Sequence, residues 1–572
     1  MANRILIFAL SLFLVACSGS KKIGSKNSGD KKPNAELFQR TFFEAQKQKA
    51  IGNTDKAYAL FQDAIQIDPK NDAVYYELAL YEFENKNIAG SKSNIKSALE
   101  IDKKNHWYYL LLANVEIESG DMDAAAKAFK KTAELNPDDM QTSFELARVY
   151  LYQEKFNDAI DVYDQIEKRT GISEELSFQK QQLYMQMGKP EKALEELEKL
   201  VAQYPSQIEY QGMLAQFYAE SGDDKKTLEA FEKMKRIDPN SGFYHMLLSE
   251  YYATKGKDQQ SYEEMLIAFQ SDEVSIDEKI GVLLRFYSVT DYNPDMLPRA
   301  YKLLDITVDV HPGESKAYAM YGDYHLRENR IQEARNMYLK AVQLDKTRST
   351  IWTQLLILES QLANWKALEE ESQEAVNLFP AQPEFFLYLG ISQGENGNTD
   401  EAVDNLNMGR MLVIENPGLE SQFFASLGDI YHKMGEHSKS DNSYEEALRI
   451  NPDNVFVLNN YAYYLSMRKE NLPRAVVMAK HANEIQPGQP SFQDTYGWVL
   501  FQTGKFEEAL NWIQASMDAG GDQSPEVVEH FGDALFKNNR EEEALYFWQK
   551  ALELGADTEN LRKKIEEKTL YE

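Results

Sequence analysis

The chemistry open to this chain is narrowed first by its single cysteine, Cys17. With one thiol, no intramolecular disulfide, cysteine-based zinc site or CxxC redox pair can form, which leaves modification of the thiol itself. The eight histidines, His106, His245, His311, His325, His432, His437, His481 and His530, are scattered without an HExxH or other metal-ligand spacing. The closest pair, His432 and His437, has Gly435 between its members. No GxSxG elbow, Walker-type phosphate loop or GxGxxG turn occurs. Carboxylate pairs abound, yet none stands out as the fixed pair with one raised pKa that glycoside hydrolysis needs. The expectation is a chain with no catalytic residues, no metal and no cofactor.

The elements around these residues begin with the balance of charge. Over 572 residues, Lys+Arg 62 against Asp+Glu 92 gives a net charge of −30, a field that opposes nucleic acid and anionic headgroups. Apolar residues make up 43%, enough for a packed core, so a wholly disordered acidic chain is excluded.

Met1–Arg4 precede the mostly apolar run Ile5–Ala16, too short to cross a bilayer core of about 30 Å as a permanent helix, and patterned as a signal-peptide core. The run ends Leu14-Val15-Ala16-Cys17, followed by Ser18-Gly19-Ser20. This resembles the lipobox of bacterial lipoproteins, which implies cleavage before Cys17 and acylation of its thiol and amine. Acyl chains contribute about 0.8 kcal/mol per buried CH₂, so several of them anchor stably. Residues 18–34 carry Lys21, Lys22, Lys26, Lys31 and Lys32 against Asp30 alone, a basic tether suited to lie beside a membrane. In the lipoproteins it resembles, aspartate after the cysteine favours retention at the inner membrane, and Ser18 is not aspartate. The resemblance therefore implies the outer membrane. The acidic run that marks surface export in some bacteria is replaced here by lysines, so the body is expected to face the periplasm.

From Phe38 the sequence repeats with a period of 34, with end markers at Pro69, Lys103, Pro137, Gly171, Pro205 and Pro239. Within the unit, positions 7 and 8 are large then small, as in Leu78-Ala79, Leu146-Ala147, Tyr321-Gly322, Leu389-Gly390 and Tyr496-Gly497. Position 20 is usually alanine, and position 24 is bulky, as in Phe61, Phe129, Tyr163, Tyr338, Tyr444 and Trp548. This pattern resembles the tetratricopeptide repeat, a helix–turn–helix unit, over residues 38–558. The resemblance implies an all-α, right-handed α-solenoid of about fifteen units. Small residues at positions 8 and 20 let helices A and B approach, and the bulky one at 24 is expected to fill the gap to the neighbouring repeat. Glycines such as Gly52, Gly120, Gly397 and Gly504 mark the end of helix A, and Asp or Asn before proline, as in Asp68-Pro69 and Asn451-Pro452, the end of helix B.

The expected organisation is a signal peptide at 1–16, the lipidated cysteine and tether at 17–37, and repeat arrays at 38–289, 290–420 and 421–558, with a capping helix at 559–572. Soft boundaries are set by the insert around Thr290–Pro298 and the long unit near Glu415–Gly418. In the cap, Leu561, Ile565 and Leu570 form one stripe suited to docking.

In the fold that the resemblance implies, helix A lines the concave surface through positions 2, 5, 9 and 12–13. The early units place Tyr76, Phe83, Trp107, Leu110, Phe144, Tyr152 and Phe178 there, either as an aromatic groove for another protein's segment or as rings packed within a tight superhelix. Further on the face carries Asp323, Arg327, Asp429, His432 and Lys433, and in the last three units Asn459, Tyr463, Asp494, Trp498, Glu529 and Asp533. Asparagine and aspartate beside rings can hold a peptide backbone while the rings take its side chains. The Lys/Asn carboxylate clamp of chaperone-binding members is absent, since positions 5 and 9 of units two to four are Tyr76/Leu80, Leu110/Asn114 and Phe144/Arg148.

The stretches Asn459–Leu465 and Asp494–Leu500 resemble the C-terminal part of Gram-negative tetratricopeptide lipoproteins that serve as scaffold or accessory subunits of secretion and gliding machinery. The expectation is a lipid-anchored, non-enzymatic scaffold whose partners are proteins or peptides of the cell envelope, with the membrane engaged through the lipid and no nucleic acid or metal bound. A glycan- or nutrient-binding lipoprotein and a cytosolic scaffold are the rival readings.

Overall fold

The computed structural model describes residues 32–571 except Asp291. Cys17 and the expected signal peptide lie outside the described residues. Those described form 31 α-helices and two short 3₁₀ turns, with no strand. They pair into fifteen helical hairpins, from Lys32–Ala50 with Thr54–Ile67 to Pro525–Lys537 with Glu541–Glu553, and a final helix Glu559–Glu567 follows. The all-α repeat expectation is met, unit for unit. The first helix begins at Lys32, so residues 32–37, expected in the tether, are helical, as Ala35, Glu36 and Leu37 favour.

The chain divides into two compact units, residues 1–239 and 240–572. The first holds six of the hairpins and the second nine, with the closing helix. The irregular stretches near 290 and 417 both fall inside the second unit. In the eighth hairpin the insert lengthens the connection from Ile276–Val289 to Leu297–Val310 and includes the 3₁₀ turn Pro294–Met296. The extra residues near 417 extend a helix instead, Pro417–Lys433, 17 residues long where most A helices have 13.

Within each hairpin the sequence period becomes a contact. A Cβ built on Gly428 would lie 2.6 Å from the ring of Tyr444, one on Gly532 2.5 Å from Trp548, and one on Gly322 3.1 Å from Tyr338. Position 24 therefore presses on position 8 of its own hairpin, where the sequence pointed only to the neighbouring repeat. It also reaches that neighbour: Tyr444 stacks on Tyr461 of the next hairpin, with ring centres 5.2 Å apart. A polar link accompanies the contact. Tyr444 donates its hydroxyl to Asp429 at 2.5 Å, Trp548 its indole N–H to Asp533 at 2.8 Å, and Tyr338 its hydroxyl to Asp323. Each of these buried donors thus finds an acceptor at position 9 of the facing helix.

The turn between helices A and B needs a left-handed residue at position 15. Gly52, Gly120, Gly188, Gly222, Gly256, Gly397, Gly435 and Gly504 supply it with φ between +66° and +88°. Where glycine is missing, Lys86, Glu154, Asn329, Ala363, Lys469 and Asn539 adopt φ of +52° to +61° at the same position. Helix stacking imposes the conformation on side chains that disfavour it by about 1–2 kcal/mol. Ala363→Gly is accordingly expected to raise stability by about 0.5–1 kcal/mol, the relieved strain being partly offset by the freer unfolded glycine. Amide-exchange protection across Ser349–Leu378 measures it, and unchanged or reduced protection would contradict this account of the turn.

The first unit also buries a charge. Lys180, fully buried, sits among Asp164 at 3.0 Å, Glu196 at 2.7 Å and Glu167. Burial by itself would lower its pKa, but the three carboxylates outweigh burial and hold it above the usual lysine value.

Candidate functional site

Positions 5 and 9 of the last three hairpins converge in space. Their A helices, Val455–Arg468, Pro490–Gln502 and Pro525–Lys537, together with the closing helix Glu559–Glu567, surround a cavity of about 860 Å³. Tyr463, Trp498 and Asp533, each at position 9, line it beside Glu529 at position 5. Asn459 and Asp494, the other position-5 residues, are buried. The sequence-selected residues Asp494, Tyr463 and Trp498 are thus brought together around one further residue, His530.

The Trp498 indole lies parallel to the His530 imidazole, with centres 3.9 Å apart, and to the Phe501 ring at 4.9 Å. His530 Nδ1 pairs with the Asp494 carboxylate at 3.0 Å. Burial would lower the His530 pKa, yet the Asp494 charge outweighs it and raises it. Two polar atoms are left unsatisfied: the Trp498 indole N–H and the Asn459 side-chain carbonyl are buried without hydrogen-bond partners. At the cavity edge, the half-buried Tyr463 donates its hydroxyl to Glu526.

The cavity floor is closed by a buried ion pair. Lys564 of the closing helix donates to Asp533 at 2.7 Å and to Glu529 at 2.8 Å. Burial pushes the Asp533 carboxyl up to about 6, against the pull of Lys564. Leu561 is fully buried and Ile565 and Leu570 pack on the same core, as the stripe implied. Lys564 was not legible as part of this docking, because its partners lie more than thirty residues away. His530 is equally hidden, one of eight scattered histidines with no metal-ligand spacing. Its one signal is register: it stands 36 residues after Asp494, one repeat on and one residue further.

The early aromatic residues behave differently. Trp107 is 52% exposed and Tyr152 75%, whereas Tyr76, Phe83, Leu110, Phe144 and Phe178 are half-buried. Tyr76 packs on Tyr108 at 5.1 Å, Phe144 on Tyr163 at 6.4 Å and Phe178 on Tyr210 at 6.5 Å. These rings belong to three separate clusters: Tyr76 and Phe83 to one, Leu110 and Phe144 to the next, Phe178 to a third. They do not form one continuous exposed wall, because Tyr76 and Phe178 pack on rings of the next hairpin's A helix and Phe144 on helix B of its own hairpin. The polar residues further on are also engaged internally. His432 stacks on Tyr464 at 3.6 Å, and Lys433 pairs with Glu395 at 2.6 Å.

Tetratricopeptide repeat family models match residues 110–171, 181–242, 315–348 and 413–556, together more than half of the chain. The chain belongs to the tetratricopeptide repeat family. One curated relative is the human protein O-mannosyl-transferase TMTC3, 28% identical over 198 residues, 34% of this chain. The match spans about a fifth (21%) of that relative's length. Among solved structures, PilF of Pseudomonas aeruginosa is 21% identical, covering 31% of this chain and 78% of its own, with a TM-score of 0.28. Yeast Tom70 is 15% identical, covering 87% and 94%, with a TM-score of 0.33. YrrB, titled a tetratricopeptide protein with an unusual peptide-binding site, is 17% identical, covering 41% and 97%, with a TM-score of 0.27.

Proposed function

We propose that this tetratricopeptide repeat protein is a non-enzymatic scaffold, anchored by lipid on Cys17 to the outer membrane, facing the periplasm and holding envelope proteins on its A-helix face. The observation that carries the protein-binding part is the cavity of the last three hairpins, where positions 5 and 9 assemble rings, carboxylates and an indole N–H that lacks an acceptor. The buried ionisable groups support a structural rather than catalytic use. Lys180 and Lys564 each hold carboxylates of neighbouring helices, and His530 is tied to Asp494. The anchor rests on the lipobox-like run that places the sole cysteine at position 17. Attachment to a surface raises the local concentration of bound partners, which is how a scaffold of separate sites gains avidity.

Cys17→Ser tests the anchor. The native chain is expected to partition into the detergent phase and the variant into the aqueous phase; equal partitioning would dismiss lipidation. Protease added to intact cells is expected to leave the body uncut, and complete digestion would place it on the outside and favour the nutrient-binding reading.

A further inference from the structure

The second unit buries a lysine in surroundings opposite to those of Lys180. Lys279, fully buried in the helix Ile276–Val289, has no carboxylate within ion-pair distance among the described residues. Its ammonium donates to the Ser271 carbonyl at 2.9 Å and to His311 Nε2 at 2.8 Å, and it faces the Phe269 ring at 6.0 Å. Ser271 ends helix B of the seventh hairpin and His311 ends helix B of the eighth. One side chain thus ties the end of the seventh hairpin to both helices of the eighth. The junction it holds is loosely filled. Met265 stands at position 24, where Tyr338, Tyr444 and Trp548 place rings, and a cavity of about 480 Å³ lined by Met246, Met265, Val282 and Phe286 lies between the two hairpins.

We infer that Lys279 and His311 form an acid-released latch between the seventh and eighth hairpins. For the lysine to donate to it, His311 Nε2 must be the unprotonated nitrogen, so the latch needs a neutral imidazole. Protonation removes that lone pair and sets two cations 2.8 Å apart with one of them fully buried, an arrangement that must open. Asp272, in the loop after the seventh hairpin, and Glu314, at the start of the ninth, attract the imidazolium. Burial and the Lys279 charge outweigh them and hold the His311 pKa below its ordinary 6.5. The remaining nearby acids are held elsewhere: Glu273 by Ser241 and the Gly242 amide, Asp277 by Lys316, and Glu278 by the cap at Ser275. Burial likewise pushes the Lys279 pKa down to about 8. The His311 contribution to stability is therefore present above pH 6.5 and lost as pH falls through the lower folded value. That of Lys279 rises from about pH 8 to 10.5, where the unfolded chain alone keeps the proton.

Two measurements on the full chain test the latch. Labelling histidine with carbon-13 resolves the His311 ring by NMR, assigned by its loss in His311→Gln, and its titration is expected below 6.5. Hydrogen exchange read by mass spectrometry, corrected for the intrinsic pH dependence of exchange, is expected to show protection across residues 271–289 about tenfold lower at pH 5.5 than at pH 7.5. His311→Gln keeps an acceptor for Lys279 but does not titrate, so its protection is expected to be equal at the two pH values. Lys279→Met removes the second cation and is expected to flatten the dependence in the same way, which preserves the test where the glutamine fits poorly. A His311 titration at or above 6.5 would overturn the proposal. So would native protection that ignores pH, a loss that persists in both variants, or an equal loss across every hairpin of the second unit, which marks a general effect of acid.

Discussion

Lys180→Met is expected to destabilise the first unit by about 3–5 kcal/mol, the loss that follows when one partner of a buried ion cluster is removed and the others stay charged. Methionine replaces much of the aliphatic stem, so lost packing is the smaller part of the effect. What remains is Asp164, Glu167 and Glu196 facing a site that no longer holds a cation, with Glu196 itself buried. In the native chain the folded lysine pKa is raised, so its contribution is fully present below its unfolded value of about 10.5 and is lost only as pH rises through the higher folded value. Native stability is therefore insensitive to this lysine across neutral pH. Urea unfolding followed by circular dichroism at pH 8 measures the loss. A loss below about 0.5 kcal/mol at pH 8 would mean that water reaches the cluster and that burial carries little of its energy.

Gly497→Val is the second large effect. A Cβ at this position would lie 2.5 Å from Ile513 Cγ1 and 3.1 Å from both the Ala509 carbonyl oxygen and the Ile513 amide nitrogen. Two of these atoms belong to the backbone of the facing helix, so no rotamer change relieves the overlap. The helices Pro490–Gln502 and Phe506–Asp518 must separate, which costs about 3 kcal/mol or somewhat more. Gly394→Ala supplies the contrast. There the added Cβ would lie only 1.9 Å from Ile430 Cδ1, a nominally worse clash, but that atom is the end of a flexible side chain. Rotation of Ile430 and the better helix propensity of alanine, about 1 kcal/mol, leave a small net change. Thermal unfolding with amide exchange is expected to show lost protection across the last three hairpins for Gly497→Val and near-native behaviour for Gly394→Ala. Equal effects would show that nearest distance, and not the stiffness of the neighbour, sets the cost.

These two sites also show how far the primary structure can be read. Gly497 is visible as a position-8 residue because the 34-residue period repeats a small residue there, where helices A and B approach. Lys180 was not, since its charge partners at Asp164, Glu167 and Glu196 belong to two different helices beyond its own. The same division runs through the candidate site. Tyr463, Asp494 and Trp498 were legible from repeat register, while His530 and Lys564 entered through pairings 36 and 31 residues long. The early aromatic residues were legible as a stripe, but not as three separate clusters.

The sequence by itself determined the repeat, its period, the fifteen hairpins and the residues at their closest approach, because those follow from local helix chemistry repeated in register. It also carries the cysteine motif on which the anchoring proposal rests. The tertiary structure alone decided which polar residues are satisfied and which are left over. Burial makes a charge or an N–H depend on partners from other helices, and no local pattern records whether such a partner is present.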